Sequence, residues 1–536
     1  MPSPSSADDL LIRGALVADG TGAPARRADV LVAGGRVAAL GDVGTTTGAR
    51  QLDAGGLVLA PGFIDMHAHS DLAVLTDPQH LAKTSQGVTT EVLGQDGLSY
   101  APADETALDV LREQLAGWNG VPSGLDWPWR TVGEYLDRVD AGAAVNVAYL
   151  VPQGTVRMLA VGTDDRPATA AELDHMRALV GAGMREGAFG MSSGLTYVPG
   201  MYAGTDELVA LCEVVAAHGG FYAPHQRSYG KGALEAYAEV IEVARRSGAA
   251  LHLTHATMNF AVNAGRAGHL LSMVDDALAD GLDVTLDTYP YLPGSTTLAA
   301  VLPSWAAAGG PAATLERLSD PATLARIRHT VEVEGSDGCH GVAAEWDTLE
   351  ISGVRHGELS ALTGRTIAGI AADTGREAFD VFTDVLRRDR LGTTVLQHVG
   401  HEQNVRAVMT HPRHCGGSDG LLVGAKPHPR AWGTFPHYLG HYVREEGVLG
   451  LEECIAHLTS RPARRLGLSD RGVVREGVVA DLVLFDPDTI AAGATFAEPR
   501  RPPLGIPFVL VAGVPVIDDG ERTEAVPGRA LRHRSG

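Results

Sequence analysis

The sequence predicts an α/β fold: a (β/α)8 TIM-like barrel with a small β-sandwich domain built from both ends of the chain. Three observations support this prediction. Through the middle of the chain, apolar strand-like runs alternate with Ala-rich helical periods, which indicates βα units around a parallel sheet. Both ends instead repeat short strand–turn–strand patterns. Polar residues follow several central apolar runs at their C-terminal ends, the rim where such barrels gather functional groups.

The barrel is predicted to occupy residues 61–469, which is long enough for one large domain. An eight-stranded ring has one place too few for the candidate strands, and we expect TTVLQHVG to lie outside it. The long mixed stretch near 293–390 is predicted to be an insertion, and its length makes it a candidate lid. The nine candidate strands are VLAPGFIDMHAH, TTEVLGQDG, VNVAYLVPQG, AFGMSSG, GFYAPHQR, ALHLTHA, DVTLDTYPY, TTVLQHVG and CGGSDG.

The two chain ends are predicted to fold together. Residues 1–60 contain LLIRGALVADGTG and ADVLVAGGRVAAL, in which apolar stretches are separated by Gly-containing turns. Residues 470–536 repeat this pattern in GVVREGVVADLVLFDP and PFVLVAGVPVIDDGERT. Neither segment is long enough for a sheet domain of its own. We therefore expect them to be the N-terminal and C-terminal parts of one β-sandwich that flanks the barrel.

Composition limits the partners and the compartment. The net charge of −22 would repel nucleic acid and anionic membranes, and it also favours solubility. The four cysteines lie far apart, so they indicate neither a zinc knuckle nor a disulfide framework, and a cytoplasmic setting fits. The start MPSPSSADDLLIRG lacks a signal-peptide pattern, and no apolar run is long enough to span a bilayer. The sequence leaves the oligomeric state open.

Four histidines suggest a metal site. His67 and His69 end the apolar run PGFIDMHAHSD, and they project together because strand side chains at i and i+2 point the same way. Two such imidazoles suit zinc, although two ordinary loop histidines would give the same pattern. His225 and His255 end the runs YAPH and LHLTH. Each alone would more often be a hydrogen-bonded structural residue, but their matching positions on strand ends favour ligation.

Two further residues suggest catalysis and substrate binding. Asp419, in GGSDG, is either a turn aspartate beside glycine or a general base that moves a proton from a metal-bound water to a leaving amine. Arg430, in PHPRAWGTFP, either holds a substrate carboxylate through its bidentate fork or forms a surface salt bridge. The sequence has no G-x-S-x-G elbow to support a serine nucleophile.

A set of motifs spans most of the chain: PGFIDMHAHSD, QGVTTEVLGQDG, FGMSSGLTYVPGMYAGTDELVAL, APHQR, LTHA, LDTYPYLPGST, GGSDG and HPRAWGTFPHYLG. From about residue 9 to residue 530, the chain thereby resembles the amidohydrolase superfamily and, more narrowly, the N-acyl-D-amino-acid deacylase (D-aminoacylase) family. The resemblance implies an enzyme that cleaves the amide bond of a small N-acyl amino acid with a water activated by one or two Zn²⁺ ions.

The resemblance also implies a role for each motif residue. Asp419 corresponds to the catalytic aspartate, which is also a metal ligand, and Arg430 corresponds to the arginine that binds the substrate carboxylate. Tyr289 and Ser295, in YPYLPGST, fall where the family places polar substrate contacts. The remaining metal ligands implied by the family are His67, His69, His225 and His255.

Two positions depart from the family pattern. The family usually reads GNCG on the second strand, with the cysteine as a zinc ligand, whereas this chain reads GQDG with Asp96 in that place. A carboxylate is a harder ligand than a thiolate and can bridge two metals, so we expect Asp96 to bind metal through oxygen. Gln153, in VPQGTVR, replaces a histidine near the substrate, and an amide cannot carry the charge of an imidazolium.

Several activities remain open at this stage. Besides Nα-acyl-D-amino acids, the substrate can be an Nε-acyl-L-lysine or another N-acyl-L-amino acid. A cyclic amide, as in the hydantoinase relatives, is disfavoured because FGMSSG lacks the lysine that those binuclear relatives carbamylate. The last alternative is a scaffold protein without catalytic activity, since a fold alone does not guarantee activity.

Overall fold

The structure is a computed structural model that describes residues 9–44 and 48–534. Within these ranges the strands are β1 (Leu10–Val17), β2 (Arg26–Ala33), β3 (Arg36–Gly41), β4 (Arg50–Asp53), β5 (Val58–Pro61), β6 (Phe63–Asp65), β7 (Val88–Leu93), β8 (Asn146–Pro152), β9 (Gly190–Gly194), β10 (Phe221–His225), β11 (Ala250–Leu253), β12 (Val284–Thr288), β13 (Gly294–Thr297), β14 (Leu349–Gly353), β15 (Thr394–Gln397), β16 (His414–Gly416), β17 (Leu482–Phe485), β18 (Phe508–Val511), β19 (Val514–Asp518) and β20 (Glu521–Arg522).

The α-helices connect and cover these strands. In chain order they are α1 (Ala73–Thr76), α2 (Leu81–Thr84), α3 (Glu105–Gln114), α4 (Ala116–Asn119), α5 (Val132–Asp140), α6 (Gln153–Val161), α7 (Ala170–Arg185), α8 (Thr205–Ala217), α9 (Ala233–Ser247), α10 (Ala267–Ala279), α11 (Ser304–Ala307), α12 (Gly310–Arg317), α13 (Pro321–His329), α14 (Ile367–Thr374), α15 (Ala378–Arg388), α16 (Glu402–Met409), α17 (Arg430–His437), α18 (Leu451–Leu458) and α19 (Ser460–Arg465). Two π-helical segments, Thr330–Glu334 and Tyr438–Glu445, extend α13 and α17.

Eight parallel strands form the predicted barrel, in the order β6-β7-β8-β9-β10-β11-β12-β16. The first and last strands meet because Met66 donates its backbone N–H to the carbonyl oxygen of Gly416 at 3.1 Å. Beyond them, Ala68 pairs with Gly420. Every residue of β8, NVAYLVP, is buried, which explains why the barrel strands read as near-continuous apolar runs. The (β/α)8 prediction is confirmed.

The segment between β12 and β16 carries a separate layer. Strands β13, β15 and β14 form a three-stranded antiparallel sheet in that order. TTVLQHVG supplies β15 and therefore lies outside the ring, as expected. The insertion runs past residue 390, since β15 pairs with β13 over its whole length. Its own apolar core is separate from the barrel and includes Leu298, Ile351, Phe382 and Val395.

Both chain ends meet in one nine-stranded sheet, with the order β20-β19-β18-β17-β5-β1-β2-β3 and β4 beside β1. The two ends join where β5 pairs antiparallel with β17, which places Leu59 opposite Leu484. The sheet curls on itself because Val37, in β3, donates its backbone N–H to Val478 at 3.0 Å, just before β17. The predicted two-part β-domain thus takes the form of a curled sheet around an apolar core that includes Ile12, Val30, Leu482 and Leu510.

The end of the described chain returns to the barrel. Gly528 donates its backbone N–H to Ala143 at 2.8 Å, and Leu531 donates to Val147 at 2.7 Å. These bonds tie the last residues to the start of β8. Across the described ranges, no helix combines the length and the apolar character needed to cross a membrane.

Candidate metal centre and active site

Six predicted site residues meet on one rim of the barrel. The carboxyl ends of parallel strands in a closed ring share one face, so residues distant in sequence converge there. Each residue ends or directly follows a barrel strand: His67 and His69 after β6, Asp96 after β7, His225 at the end of β10, His255 after β11 and Asp419 after β16. All six are buried.

The first group of potential ligands surrounds the H-x-H pair. Nε2 of His67 lies 3.2 Å from Nε2 of His69, so the two imidazoles point at one another. Oδ1 of Asp419 lies 3.2 Å from Nε2 of His69 and 3.7 Å from Nε2 of His67. Two ring nitrogens and a carboxylate oxygen therefore face one small volume.

The second group is built from the two later histidines. Nδ1 of His225 lies 3.1 Å from Nε2 of His255. Their rings meet edge to face, with centroids 4.8 Å apart. The two nitrogens converge in the same way as those of the H-x-H pair.

Asp96 stands between the two groups. Its Oδ1 lies 3.5 Å from Nε2 of His67 and 3.3 Å from Nε2 of His255. Its Oδ2 lies 3.5 Å from Nε2 of His69 and 3.5 Å from Nδ1 of His225. Each carboxylate oxygen thus faces one histidine of each group, so Asp96 lies within reach of both ligand sets.

The donor atoms fit the spacing of metal ligands. Two sets could each hold an ion, because their ligand atoms lie within 4.8 Å of one another: His67, His69, Asp96 and Asp419; and Asp96, His225 and His255. Ligands bound at about 2.0–2.2 Å around a tetrahedral zinc ion lie roughly 3.3–3.6 Å apart, close to the separations found here. Nitrogen and oxygen donors without thiolate suit zinc and also admit harder divalent metals.

The backbone is held in an unusual conformation at three of these residues. Asp96, His255 and Asp419 have φ angles of 54°, 32° and 48°, in the left-handed region that non-glycine residues seldom occupy. Around Asp96 the turn also passes close to neighbouring strands, since a Cβ on Gly94 would lie 2.2 Å from the carbonyl oxygen of Leu150. Such conformations cost energy and persist where the surrounding fold imposes them, often at functional sites.

Hydroxyl groups orient the second histidine pair. Oη of Tyr229 lies 2.9 Å from Nδ1 of His255, and Oγ1 of Thr196 lies 2.7 Å from Nε2 of His225. Each contact occupies the ring nitrogen that faces away from Asp96, so the other nitrogen points at the carboxylate. Outer contacts of this kind fix the ring orientation of metal-binding histidines.

A buried ionic network supports the first group. Asp65 accepts hydrogen bonds from the backbone N–H of His67 at 3.2 Å and from the backbone N–H of Ser418 at 2.8 Å. Its other oxygen accepts from Nζ of Lys83 at 2.7 Å. The residue before Asp419 and the first histidine of the H-x-H pair are therefore tied to one carboxylate.

The electrostatics of the rim favour a bound cation. Burial raises the pKa of Asp96, but the neighbouring His67, His225 and His255 outweigh it and hold the pKa well below the ordinary range. Burial lowers the pKa of His69, but hydrogen bonds to Asp419 and Asp96 raise it to about 10. Two ionised carboxylates thus concentrate negative charge among the imidazoles.

The rim opens into a cavity of about 70 Å³. Tyr289 and Ser295, both predicted substrate contacts, line it. Sequence reasoning assigned no role to the other large or polar lining side chains, although two of them, Thr196 and Tyr197, belong to the motif FGMSSGLTYVPGMYAGTDELVAL. These side chains are Trp118, Thr196, Tyr197, Tyr229, Phe260, His340 and Gln397. Among the described residues that line the cavity there is no lysine and no arginine.

Arg430 lies directly behind this cavity. The side chain is completely buried, and Nη2 lies 2.9 Å from Oδ2 of Asp419. The guanidinium carbon sits 4.2 Å from the centre of the Tyr289 ring. Nε and Nη1 have no hydrogen-bond partner within the described protein, so the fork keeps donors to spare. Arg430 is thus a buried residue of the site and not a surface salt bridge.

Gln153 lies apart from the other predicted site residues. It is completely buried at the start of α6, and its Nε2 lies 3.5 Å from Oε1 of Glu207. It is not among the residues that line the cavity. The chain turns into a helix at this position, which carries the amide away from the rim.

Comparisons with known proteins show the family of the chain. Residues 50–517 match the Amidohydrolase family. An N-acyl-D-glutamate deacylase from Alcaligenes xylosoxydans xylosoxydans is 36% identical over 526 residues, which cover 98% of this chain and 96% of that protein. Two solved structures are also similar. One is N-acyl-D-glutamate deacylase from Bordetella bronchiseptica, complexed with zinc and a phosphonate inhibitor. It has a TM-score of 0.84 and 34% sequence identity, and the match covers 98% of this chain and 99% of that chain. The other is a D-aminoacylase with a binuclear metal centre. It has a TM-score of 0.82 and 33% sequence identity, and the match covers 98% of this chain and 99% of that chain.

The fold and the rim define a class, a (β/α)8-barrel protein with adjoining ligand sets for two metal ions. The match over most of the chain settles the family. The chain belongs to the Amidohydrolase family.

Proposed function

We propose that the protein is a zinc-dependent hydrolase that cleaves the linear amide bond of N-acyl-D-amino acids. The placement of Asp96 carries the proposal, since each of its carboxylate oxygens faces one histidine of each group, within 3.3–3.5 Å. We assign metal binding to His67, His69, Asp96, His225, His255 and Asp419, for one or two Zn²⁺ ions. The similarity to deacylases of N-acyl-D-amino acids over nearly the whole chain supports the reaction and the D configuration.

Bound zinc would supply an activated water and polarise the acyl carbonyl. Asp419 is the group that moves the proton. Its Oδ1 faces the H-x-H pair, where it would take a proton from the attacking water, and it would then hand that proton to the leaving nitrogen. Burial raises the pKa of Asp419, but Arg430 and His67 outweigh it and hold the pKa below its ordinary range, so the carboxylate is ionised.

We assign the substrate carboxylate to the side of the cavity lined by Tyr289 and Ser295, behind which Arg430 lies. The unpaired Nε and Nη1 of Arg430 offer the planar pair of donors that a carboxylate prefers. Tyr289 stacks on this guanidinium, and Ser295 adds a hydroxyl on the cavity wall. Gln153 has no role in this assignment, because its amide faces Glu207.

The lining of the cavity favours a neutral substrate side chain. A buried carboxylate is costly unless a cation pairs with it. The described lining has no lysine or arginine, and burial lowers the pKa of His340 to about 3, so this imidazole is neutral. We therefore propose N-acyl derivatives of neutral amino acids as substrates, in contrast to the N-acyl-D-glutamate of the relative named above.

We propose the cytoplasm as the place of action. All four cysteines, Cys212, Cys339, Cys415 and Cys454, are free and buried, which suits a reducing compartment. The partner is the small-molecule substrate.

A substrate panel with the zinc-loaded protein tests the function. We would measure amine release from matched N-acetyl-D-methionine, N-acetyl-L-methionine, N-acetyl-D-glutamate, Nε-acetyl-L-lysine and a hydantoin. The expected result is turnover of N-acetyl-D-methionine, with the D-glutamate derivative at least tenfold slower. Turnover confined to the L-form, the lysine derivative or the hydantoin would overturn the proposal, as would a metal-loaded protein that is inactive on the whole panel.

The role of Asp419 is tested in the same assay. Asp419→Asn keeps the shape of the side chain but removes the proton acceptor, so kcat should fall by about 10²–10⁴. Asp206→Asn is the matched control, the same change at an exposed carboxylate outside both ligand sets. Zinc content is measured on both variants, because Asp419 also belongs to a ligand set.

A further inference from the structure

A second cavity, of about 100 Å³, adjoins the one at the metal rim. Its wall is largely apolar, with Val198, Met201, Leu302, Ala307 and Leu391 among the lining residues. Most of this wall comes from the insertion and from the loop after β9. None of the six proposed metal ligands lines it, so the metal centre alone does not account for it.

Three residues separate the two cavities. Thr196, Tyr197 and Ala300 line both of them, so they form the partition. The Tyr197 ring packs 4.8 Å from the His225 ring on the metal side. The ring also packs 4.9 Å from the Trp118 ring, and its hydroxyl lies 3.0 Å from Oγ1 of Thr296 in β13.

The insertion runs continuously along both spaces. Residues 294–296 of β13 line the metal-side cavity, and Thr297 and Ala299 line the second cavity. A ligand that follows this strand away from the metal therefore passes from the first cavity into the second. The strand provides one wall for the whole path.

The second cavity shares no residue with the proposed carboxylate contact, because Arg430, Tyr289 and Ser295 do not line it. Thr196, in the partition, contacts His225, whereas Arg430 contacts Asp419 and Tyr289. A substrate whose carboxylate is bound by Arg430 thus leaves the second cavity free for another part of the molecule.

The volume of the metal-side cavity is small for a substrate with a long acyl chain. An apolar protein cavity of about 150 Å³ binds benzene, so the metal-side space of about 70 Å³ has little room for a hydrocarbon chain besides the amino acid. Only together with the adjoining apolar space, of about 100 Å³, do the two cavities exceed the volume of that benzene-binding cavity. Apolar walls favour hydrocarbon, since each CH₂ group removed from water strengthens binding about fourfold.

We infer that the cavity behind Thr196, Tyr197 and Ala300 binds the acyl chain of the substrate, and that the protein accepts N-acyl amino acids with unbranched acyl chains of medium length. This inference rests on the proposed function. The far end of the cavity, at Glu113 and Arg390, reaches the surface, so chains beyond the capacity of the cavity extend towards solvent.

The test compares acyl chains on one amino acid. We would measure kcat/KM of the zinc-loaded protein for N-acetyl-, N-hexanoyl- and N-octanoyl-D-methionine. Wild type should favour the octanoyl over the acetyl substrate by at least tenfold. Ala307→Phe, which fills the second cavity only, should lower kcat/KM for the octanoyl substrate at least tenfold and leave the acetyl substrate within about twofold.

Ala308→Phe is the matched control, because the same bulk is added at the neighbouring residue, which does not line either cavity. It should keep the wild-type chain-length profile. Ala299→Leu also fills the second cavity, because Ala299 is another of its lining residues. This variant is used in place of Ala307→Phe if Ala307→Phe has a melting temperature well below that of wild type. Equal chain-length profiles for wild type and both filled variants would overturn the inference.

A separate readout distinguishes failure of the inference from failure of the proposed function. Titration calorimetry with octanoate tests the cavity without turnover. Octanoate should bind wild type and Ala308→Phe with similar affinity, and it should bind Ala307→Phe at least tenfold more weakly. If the protein is active on the acetyl substrate and all three proteins bind octanoate equally, the inference about the acyl chain is wrong and the proposed function stands. If the protein hydrolyses none of the acyl substrates but still binds octanoate more weakly in Ala307→Phe, the proposed function is wrong and the apolar binding site stands.

Discussion

Nζ of Lys83 lies 2.7 Å from Oδ2 of Asp65, and both side chains are completely buried. The same ammonium lies 3.1 Å from Oε1 of Glu91 and donates to Oγ of Ser418 at 2.9 Å. Asp65 in turn holds the backbone N–H of His67. One buried cation thus connects the segments that carry both sides of the first ligand group.

Loss of this cation should destabilise the fold. Lys83→Met leaves two buried carboxylates without their partner, and the free energy of unfolding should fall by about 3–5 kcal/mol. Urea unfolding followed by circular dichroism measures the change. Arg50→Met is the control, since it breaks the partly exposed Arg50–Asp518 pair and should cost less than about 1 kcal/mol. Equal costs for the two variants would contradict a structural role for the buried pair.

Glu91 should make the protein sensitive to acid. Burial raises its pKa, but Lys83 and His80 outweigh burial and lower the pKa from 4.5 to about 2. The folded protein therefore keeps Glu91 ionised at a pH where the unfolded chain binds a proton. This stabilisation, on the order of 3 kcal/mol, is complete above about pH 4.5 and is lost as the pH falls towards 2.

The measurement for Glu91 is urea unfolding between pH 3 and pH 6, in wild type and in Glu91→Gln. Other carboxylates contribute to both curves, so the difference between the curves isolates Glu91. Wild type should lose stability more steeply than the variant as the pH falls. Parallel curves would show that Glu91 titrates normally in the folded protein.

Asp96 should be needed by both ligand sets. Because its carboxylate lies between the two histidine pairs, Asp96→Ala should lower the zinc content of both sets, whereas His225→Ala should spare the set around His67 and His69. Elemental analysis after dialysis gives the ions per chain. Tyr289→Phe, on the cavity wall, is the control and should keep wild-type zinc. Wild-type zinc content in Asp96→Ala would exclude the bridging placement.

The softness of the ligand at position 96 should set the choice of metal. Asp96→Cys replaces a hard oxygen with a thiolate, which binds zinc well and manganese poorly. Competition between Zn²⁺ and Mn²⁺ should therefore favour zinc more strongly in the variant than in wild type. An unchanged ratio would mean that residue 96 does not contact the metal.

Tyr229 should tune metal affinity through His255. Tyr229→Phe removes the hydroxyl 2.9 Å from Nδ1 of His255, and zinc affinity should fall about 10–100-fold. Tyr237→Phe is a matched control, because its hydroxyl donates to the backbone oxygen of Thr257 and not to a proposed ligand. Competition with a chelating dye measures both affinities. A similar loss in the two variants would point to a general packing effect.

The barrel and its rim were predictable because their signals are local. Each barrel strand is an apolar run, and the polar residue that ends it falls on the shared rim, as His225 and Asp419 do. The place of TTVLQHVG outside the ring followed from counting strands. The curl of the terminal sheet was not predictable, since it depends on Val37 meeting Val478 from the other end of the chain.

Other features of the site depend on tertiary packing. Lys83, in HLAKTSQG, has the sequence context of an ordinary surface helix, and only the fold reveals that it is completely buried. Tyr197 and Ala300 form a partition because the insertion folds back over the rim, a contact that no local pattern encodes. Gln153 was expected near the substrate from its motif, but α6 begins there and turns it towards Glu207.

The junction of β5 with β17 bears on how the chain is made. Residues 58–61 emerge from the ribosome long before their partners at 482–485. Closing so long a loop is slow, and one edge of β5 has no partner until β17 has been synthesised. An unpaired strand edge is a site of aggregation. Expression yield should therefore depend on chaperone capacity during translation, and C-terminal truncations before β17 should accumulate as insoluble protein.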